Sequence, residues 1–288
     1  MKVGKKLLNI VLCKFFFPLK NSFYEVFTND FVLLSASVWP TNKNWGDDVS
    51  KTIVQLINPS KRVIIKRYSW NLKKKEDYLC VGSIITWMTT PNSIIWGSGV
   101  VYPDKDLSAC PKRVLAVRGP LTRKYFLERG IECPDIYGDP ALLFPKYYKP
   151  QVKKQYKYGI IPHYRDKNNV ALSRLYGNPD VLLIDVQKTR PWTSFIDSIN
   201  KCEFIFSSSL HGIIISDAYG VPNWWIELEK GENKRYAFLD YLLSVHRKQQ
   251  FPIVVNSSMS IEDLLKECGD LDTPSINTDK LLQVCPFI

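Results

Sequence analysis

Three histidines, His163, His211 and His246, hold most of the near-neutral acid–base capacity of this chain. His211 lies in Phe204-Ile205-Phe206-Ser207-Ser208-Ser209-Leu210-His211-Gly212-Ile213-Ile214, which reads as a strand, a serine-rich turn and a helix start. The hydroxyls of Ser208 and Ser209, together with free backbone N–H groups at the turn and at Gly212, make a ready anion site. A histidine there can give a phosphate a proton or a hydrogen bond. Alternatively, the serines only cap the helix and the imidazole packs against it. His163 ends a strand in Gly159-Ile160-Ile161-Pro162-His163-Tyr164-Arg165-Asp166. Two residues apart on an extended loop, His163 and Arg165 can face one ligand; equally, Arg165 can pair with Asp166.

Arg118 ends another strand, in Ala116-Val117-Arg118-Gly119-Pro120. A guanidinium there can hold a carboxylate or phosphate in a two-pronged hydrogen bond, or sit in solvent. In Asn44-Trp45-Gly46-Asp47-Asp48 the glycine allows a tight turn. The paired carboxylates can orient sugar hydroxyls or accept a proton, unless Asp47 simply caps the following helix. Gly97-Ser98-Gly99 lets the backbone approach a ligand closely, but the spacings of a nucleotide-binding fingerprint are missing. Neither a metal-ligand cluster nor a G-x-S-x-G elbow is present.

The elements that must position these residues alternate. Apolar runs at 31–38, 62–66, 78–81, 93–96 and 113–117 predict strands, with helices over 48–57 and 120–129. A basic, proline-flanked stretch at 146–154 reads as a linker. Strands then recur at 158–161, 181–186, 204–206 and 223–226, with helices at 193–201, 212–219, 261–266 and 278–284. The reading is an α/β chain of two Rossmann-like domains, 1–150 and 151–288, each built on a parallel sheet. The last helix is expected to pack back on the first domain. A cleft would then lie between the carboxyl ends of the two sets of strands.

With 39 Lys and Arg against 28 Asp and Glu, the net charge is +11, which favours an anionic partner without choosing one. The seven cysteines are odd in number, widely spaced and free of C-x-x-C, so neither a disulfide framework nor a zinc site is expected, and a reducing cytoplasm fits best. Residues 1–17 are basic and apolar, too short to span a bilayer and interrupted by Lys14. They are either a packed first helix or a helix lying on an anionic membrane surface.

The ordered set Asn44-Trp45-Gly46-Asp47-Asp48, Trp96-Gly97-Ser98-Gly99, Val117-Arg118-Gly119-Pro120-Leu121-Thr122, Gly138-Asp139-Pro140-Ala141, Ile161-Pro162-His163-Tyr164, Ser207-Ser208-Ser209-Leu210-His211-Gly212, Asp217-Ala218-Tyr219-Gly220-Val221-Pro222 and 234–241 resembles the polysaccharide pyruvyl transferase family, in particular its exopolysaccharide branch. The resemblance covers about residues 31–247. It implies a glycosyltransferase-B-like fold and a cytoplasmic enzyme, with contact at the inner membrane face one expectation. Phosphoenolpyruvate would be the donor substrate, with no further cofactor and no metal. The acceptor would be a sugar of a lipid-linked surface-polysaccharide precursor, and nucleic acid is not an expected partner. Arg118 and His211 would contact phosphoenolpyruvate, Ser208, Gly212, Gly97 and Ser98 would line the site, and Asn44, Asp47 and Asp48 would stand on the acceptor side. Other branches carry an arginine where Ser209 stands, so His163, Arg165 and Lys234 become the candidates to grip phosphate. His211 would protonate the enol carbon of the donor while a sugar hydroxyl attacks its central carbon. The resemblance leaves the acceptor sugar, the ketal positions and the oligomeric state open.

Two rivals make different demands. A nucleotide-sugar glycosyltransferase needs a clamp for base and ribose, for which Glu227 and Glu229 are available. A non-catalytic binder of nucleic acid or anionic glycans would rest on the charge alone, and the basic residues are scattered with no nucleic-acid fold motif.

Overall fold

The strands that the apolar runs predict assemble, in a computed structural model, into two separate parallel sheets. Residues 31–38, 44–66, 75–231 and 233–288 are described, with 8, 11, 12, 14 and 19 before them. Most of the N-terminal basic run lies outside the described residues. Among those described, no helix is long and apolar enough to cross a membrane.

The first sheet holds β1 (Phe31–Leu34), β2 (Arg62–Ile65), β3 (Asp77–Leu79), β4 (Ser93–Trp96) and β5 (Arg113–Ala116), in the order β2-β1-β3-β4-β5. Helices α1 (Trp45–Ile57), α2 (Ile85–Met88) and α3 (Pro120–Leu127) join its strands. The second sheet holds β6 (Tyr156–Ile161), β7 (Val181–Leu183), β8 (Cys202–Ser207), β9 (Asn223–Leu228) and β10 (Ile253–Val255), in the order β10-β9-β8-β6-β7. Its helices are α4 (Thr193–Asn200), α5 (Leu210–Ala218) and α6 (Arg235–Ser244), followed by α7 (Ile261–Glu267) and α8 (Asp279–Gln283). All strand pairings are parallel, and parallel strands need crossover helices.

Each sheet is buried on both faces, which is why its strands read as continuous apolar runs rather than alternating ones. Ser93–Trp96 is buried at every position. The windows at 31–38 and 181–186 overshoot because the ladders end early. Beyond Leu34 the Ser35 N–H donates to the Tyr78 carbonyl, and beyond Leu183 the Ile184 N–H donates to the Ile160 carbonyl before the chain turns at Asp185. The segment 146–154, expected as a linker, is docked: Tyr148 Oη donates to Asp197 Oδ1 at 2.6 Å, and its ring packs edge-on to Trp192.

In each sheet the order reverses once, between β1 and β3 and between β6 and β8. Loops diverge there, opening a crevice at the carboxyl ends of the strands. One apolar cluster runs through both halves, from Leu34 and Trp45 to Ile213 and Trp225. The chain end also returns to the first sheet: the Trp96 indole donates to Leu281 O at 2.9 Å, Asn58 Nδ2 to Phe287 O at 2.8 Å, and the Phe287 ring stands edge-on to Trp96 and Tyr78.

Candidate functional site

The chain leaving β1 re-enters as α1, whose first turn carries Trp45, Gly46, Asp47 and Asp48. Trp45 locks that turn to the second half. Its backbone N–H donates to Val186 O at 2.8 Å, its indole N–H donates to Trp192 O at 2.7 Å, and its ring packs 4.7 Å from Phe195. Asn44 occupies the N-cap, so Asp47 is not the cap but stands inside the first turn, its Oδ2 accepting from Asn44 Nδ2 at 3.1 Å. Burial lifts the Asp47 carboxyl to about 6, against the pull of Lys234 and Arg165. Asp48 is half-buried beside it.

Gly46 leaves room for a ring from the other half. A β-carbon there would fall 2.1 Å from Nδ1 of His211. His211 sits in the first turn of α5, just beyond β8, its side chain 13% exposed. Its Nε2 lies 3.7 Å from Oδ2 of Asp139, and both atoms are buried with no hydrogen-bond partner. The other oxygen, Oδ1, accepts from Ala141 N–H at 2.9 Å and caps the 3-10 helix Pro140–Lys146. Burial pushes Asp139 up to about 7. It pushes His211 down to about 3, with Arg118 and Lys234 acting in the same direction. The imidazole is therefore uncharged at neutral pH while the carboxyl titrates near neutrality.

His163 follows β6 on the other side of the same crevice. Its backbone N–H donates to Ser208 Oγ at 3.0 Å, and Ser208 N–H donates to Ile161 O, so the β6 and β8 ends are stitched together. Lys234 Nζ lies 2.9 Å from His163 Nε2. An ammonium can only donate, so His163 accepts there and carries its hydrogen on Nδ1. Burial, then Lys234 and Arg165, holds His163 down to about 3. Arg165 is exposed on the rim, its guanidinium 5.5 Å from the Tyr164 ring. Ser209 is the N-cap of α5, but the hydroxyl that accepts its N–H belongs to Ser207, at 3.1 Å.

Four residues expected at the ligand turn inward. The Arg118 guanidinium is 0% exposed. It donates to Asp240 Oδ2 at 3.2 Å, to Val100 O at 2.8 Å and to Ser83 Oγ, so its fork is filled by the protein's own acceptors. Gly97 has φ +88, and a β-carbon on it would meet Pro140 Cδ at 2.3 Å; it makes room for the Asp139 turn. Ser98 is buried and donates to Gly82 O at 2.7 Å. Gly212 packs on Ser207 Oγ, 2.2 Å from where a β-carbon would be. His246 is exposed at the end of α6. Glu227 is held by Arg235 at 2.7 Å and Glu229 is exposed.

Two residues were given no role by the sequence. Asp139 stands in the sequence only as part of the Gly138-Asp139-Pro140-Ala141 motif, and its second, unpartnered oxygen is visible only in the fold. Asp240 lies on α6 and receives Arg118 together with Thr122 N–H at 2.8 Å and Thr122 Oγ1 at 2.7 Å. Among the described residues, no group of three or more His, Cys, Asp or Glu is placed to hold a metal ion.

Comparison with known proteins gives the context. A family model described as polysaccharide pyruvyl transferase matches residues 30–229. A protein of Acanthamoeba polyphaga mimivirus, described as uncharacterized, is 28% identical over 249 residues, covering 83% of this chain and 83% of its own. A functionally uncharacterized Klebsiella pneumoniae protein of known crystal structure covers 85% of this chain and 98% of its own, at 17% identity and a TM-score of 0.45.

Proposed function

Because the chain belongs to the polysaccharide pyruvyl transferase family, whose activity is transfer of a pyruvyl group to polysaccharide, we propose that its donor is phosphoenolpyruvate and its acceptor a sugar of a lipid-linked surface-polysaccharide precursor. The product is a cyclic pyruvate ketal, with phosphate released. Such a donor places the reaction in the cytoplasm, and such an acceptor places it at the inner membrane face. The observation that carries the reading is the convergence of His211, His163, Lys234 and Asp47 on one crevice between the two sheets.

The reaction balances over two hydroxyls. One adds to the central carbon of the donor as the methylene carbon takes a proton and becomes a methyl. The carbon–oxygen bond to phosphate then breaks, the second hydroxyl closes the ring, and its proton leaves with phosphate. His211, uncharged at neutral pH, can take a proton from the first hydroxyl and pass it to the methylene carbon. A polyanionic donor offsets the Arg118 and Lys234 charges that hold the imidazole down, and so favours the imidazolium. Lys234, with His163 beside it and Arg165 on the rim, supplies the phosphate grip where Ser209 offers only a hydroxyl. Asp47 and Asn44 orient the acceptor from α1. Arg118 contributes its field from behind the site rather than a contact.

The test is mass spectrometry of a lipid-linked oligosaccharide incubated with enzyme and phosphoenolpyruvate. Gain of one pyruvyl unit less water, with stoichiometric phosphate, is expected. Glycosyl transfer from a nucleotide sugar without phosphoenolpyruvate consumption would overturn the reading.

A further inference from the structure

We propose that Asp139 is the positioning residue of His211: from beneath the imidazole its Oδ2 holds the hydrogen on Nε2, leaving the Nδ1 lone pair on the α1 side, where the acceptor would lie. The inference rests on the reading of His211 as the acid–base group.

Two buried polar atoms without partners face each other across 3.7 Å. An approach of about 0.8 Å makes an ordinary hydrogen bond, and such contacts in empty sites commonly tighten once ligand is bound. Leaving either atom unpaired when buried is costly, so closure is favoured. The carboxylate is fixed for this task. Its Oδ1 is held by Ala141 N–H, Pro140 is wedged on Gly97, and Gly138 before it has φ +145, a conformation that glycine adopts freely.

The charged and titratable groups facing the pair fit the assignment. Arg118 and Lys234 act on His211, and Arg118, Cys80 and Tyr241 lie within electrostatic reach of Asp139. Arg118 is already engaged by Asp240, and burial keeps the Cys80 thiol and the Tyr241 phenol protonated. Once ionised, above about pH 7, Asp139 is thus the acceptor for Nε2–H. In that tautomer Nδ1 takes the hydroxyl proton and returns it to the methylene carbon, while Asp139 keeps its hydrogen bond to Nε2 and stabilises the transient imidazolium. No proton passes to Asp139 in the cycle.

The experiment is ¹⁵N NMR of the full-length protein with labelled histidine, without substrate and above the Asp139 titration near 7, assigning His211 by its loss in His211→Asn. Wild type should show Nε2 protonated and Nδ1 bare. In Asp139→Asn the amide keeps the Ala141 contact through its oxygen and points N–H at Nε2. The tautomer should therefore reverse and kcat should fall about 10²–10⁴-fold, with little change in melting temperature. A wild-type spectrum with hydrogen on Nδ1, or an unchanged tautomer in Asp139→Asn, overturns the assignment. The wild-type measurement decides even if the variant fails to fold. Since it needs no donor, failure of the phosphoenolpyruvate reading would appear separately, as wild-type protein with the expected tautomer and no turnover.

Discussion

The loops beyond β1, β6 and β8 and those beyond β4 and β5 occupy the same formal place, the carboxyl end of a parallel strand, yet do opposite work. The first three flank the reversals in strand order, where neighbouring connections part. They deliver Asp47, His163 and His211, largely buried polar groups, of which both histidines keep a ring nitrogen without a partner. The last two lie where connections run the same way and close over each other. Ser98 and Arg118 are sealed at 0% exposure, with protein acceptors for their donors. A strand end becomes a site where the topology opens a crevice, and a packing device where it does not.

The comparison is broken or sharpened by substitution on each side of it. His211→Asn should lose about 10²–10⁴-fold in kcat while melting as wild type does; near-normal turnover would remove it from the chemistry. Arg118→Leu should instead lose stability, by about 3–5 kcal/mol in urea titrations, because buried Asp240 is left without its ionic partner. If Arg118→Leu folds normally and only loses donor affinity, the strand ends beyond β4 and β5 are functional after all. Lys234→Met should raise KM for phosphoenolpyruvate by about 1.5–3 kcal/mol in binding, with a smaller change in kcat.

The smallest effect per step is a pH slope. His163 is held down to about 3 in the folded chain against an ordinary 6.5, so the unfolded chain binds the extra proton between those values. Wild type should therefore lose stability as pH falls from 6.5 towards 3, by about 1.4 kcal/mol per unit for such a group. His163→Gln, which keeps an acceptor for Lys234, should flatten that slope. His211 adds to the slope with the same sign. The raised carboxyls of Asp47 and Asp139 oppose it, since they favour the folded chain as pH falls, so the difference between variant and wild type isolates His163.

The strands were legible because burial on both faces makes them plain apolar runs, as at Ser93–Trp96. The β10 strand was not, because Ile253–Val255 is three residues long and half-exposed at an edge. His163 and His211 could be picked out because histidines are few and both follow strands. The partner of Arg118 was not legible, because a strand-end arginine looks the same whether it faces a ligand or Asp240, more than a hundred residues on. Asp139 could not be read at all: Gly-Asp-Pro is complete as a local cap, and only the fold brings His211 over its second oxygen.

The return of the chain end has a mechanical consequence. Two bodies joined at one edge can swing apart like a book; these are bound along a second edge by Leu281 and Phe287 on Trp96 and Asn58. Swinging about 146–154 would have to tear that seam, expose Phe287 and unseat Trp45 from Trp192. Asp47 and His211 are thus held in register by masonry rather than hung on a door.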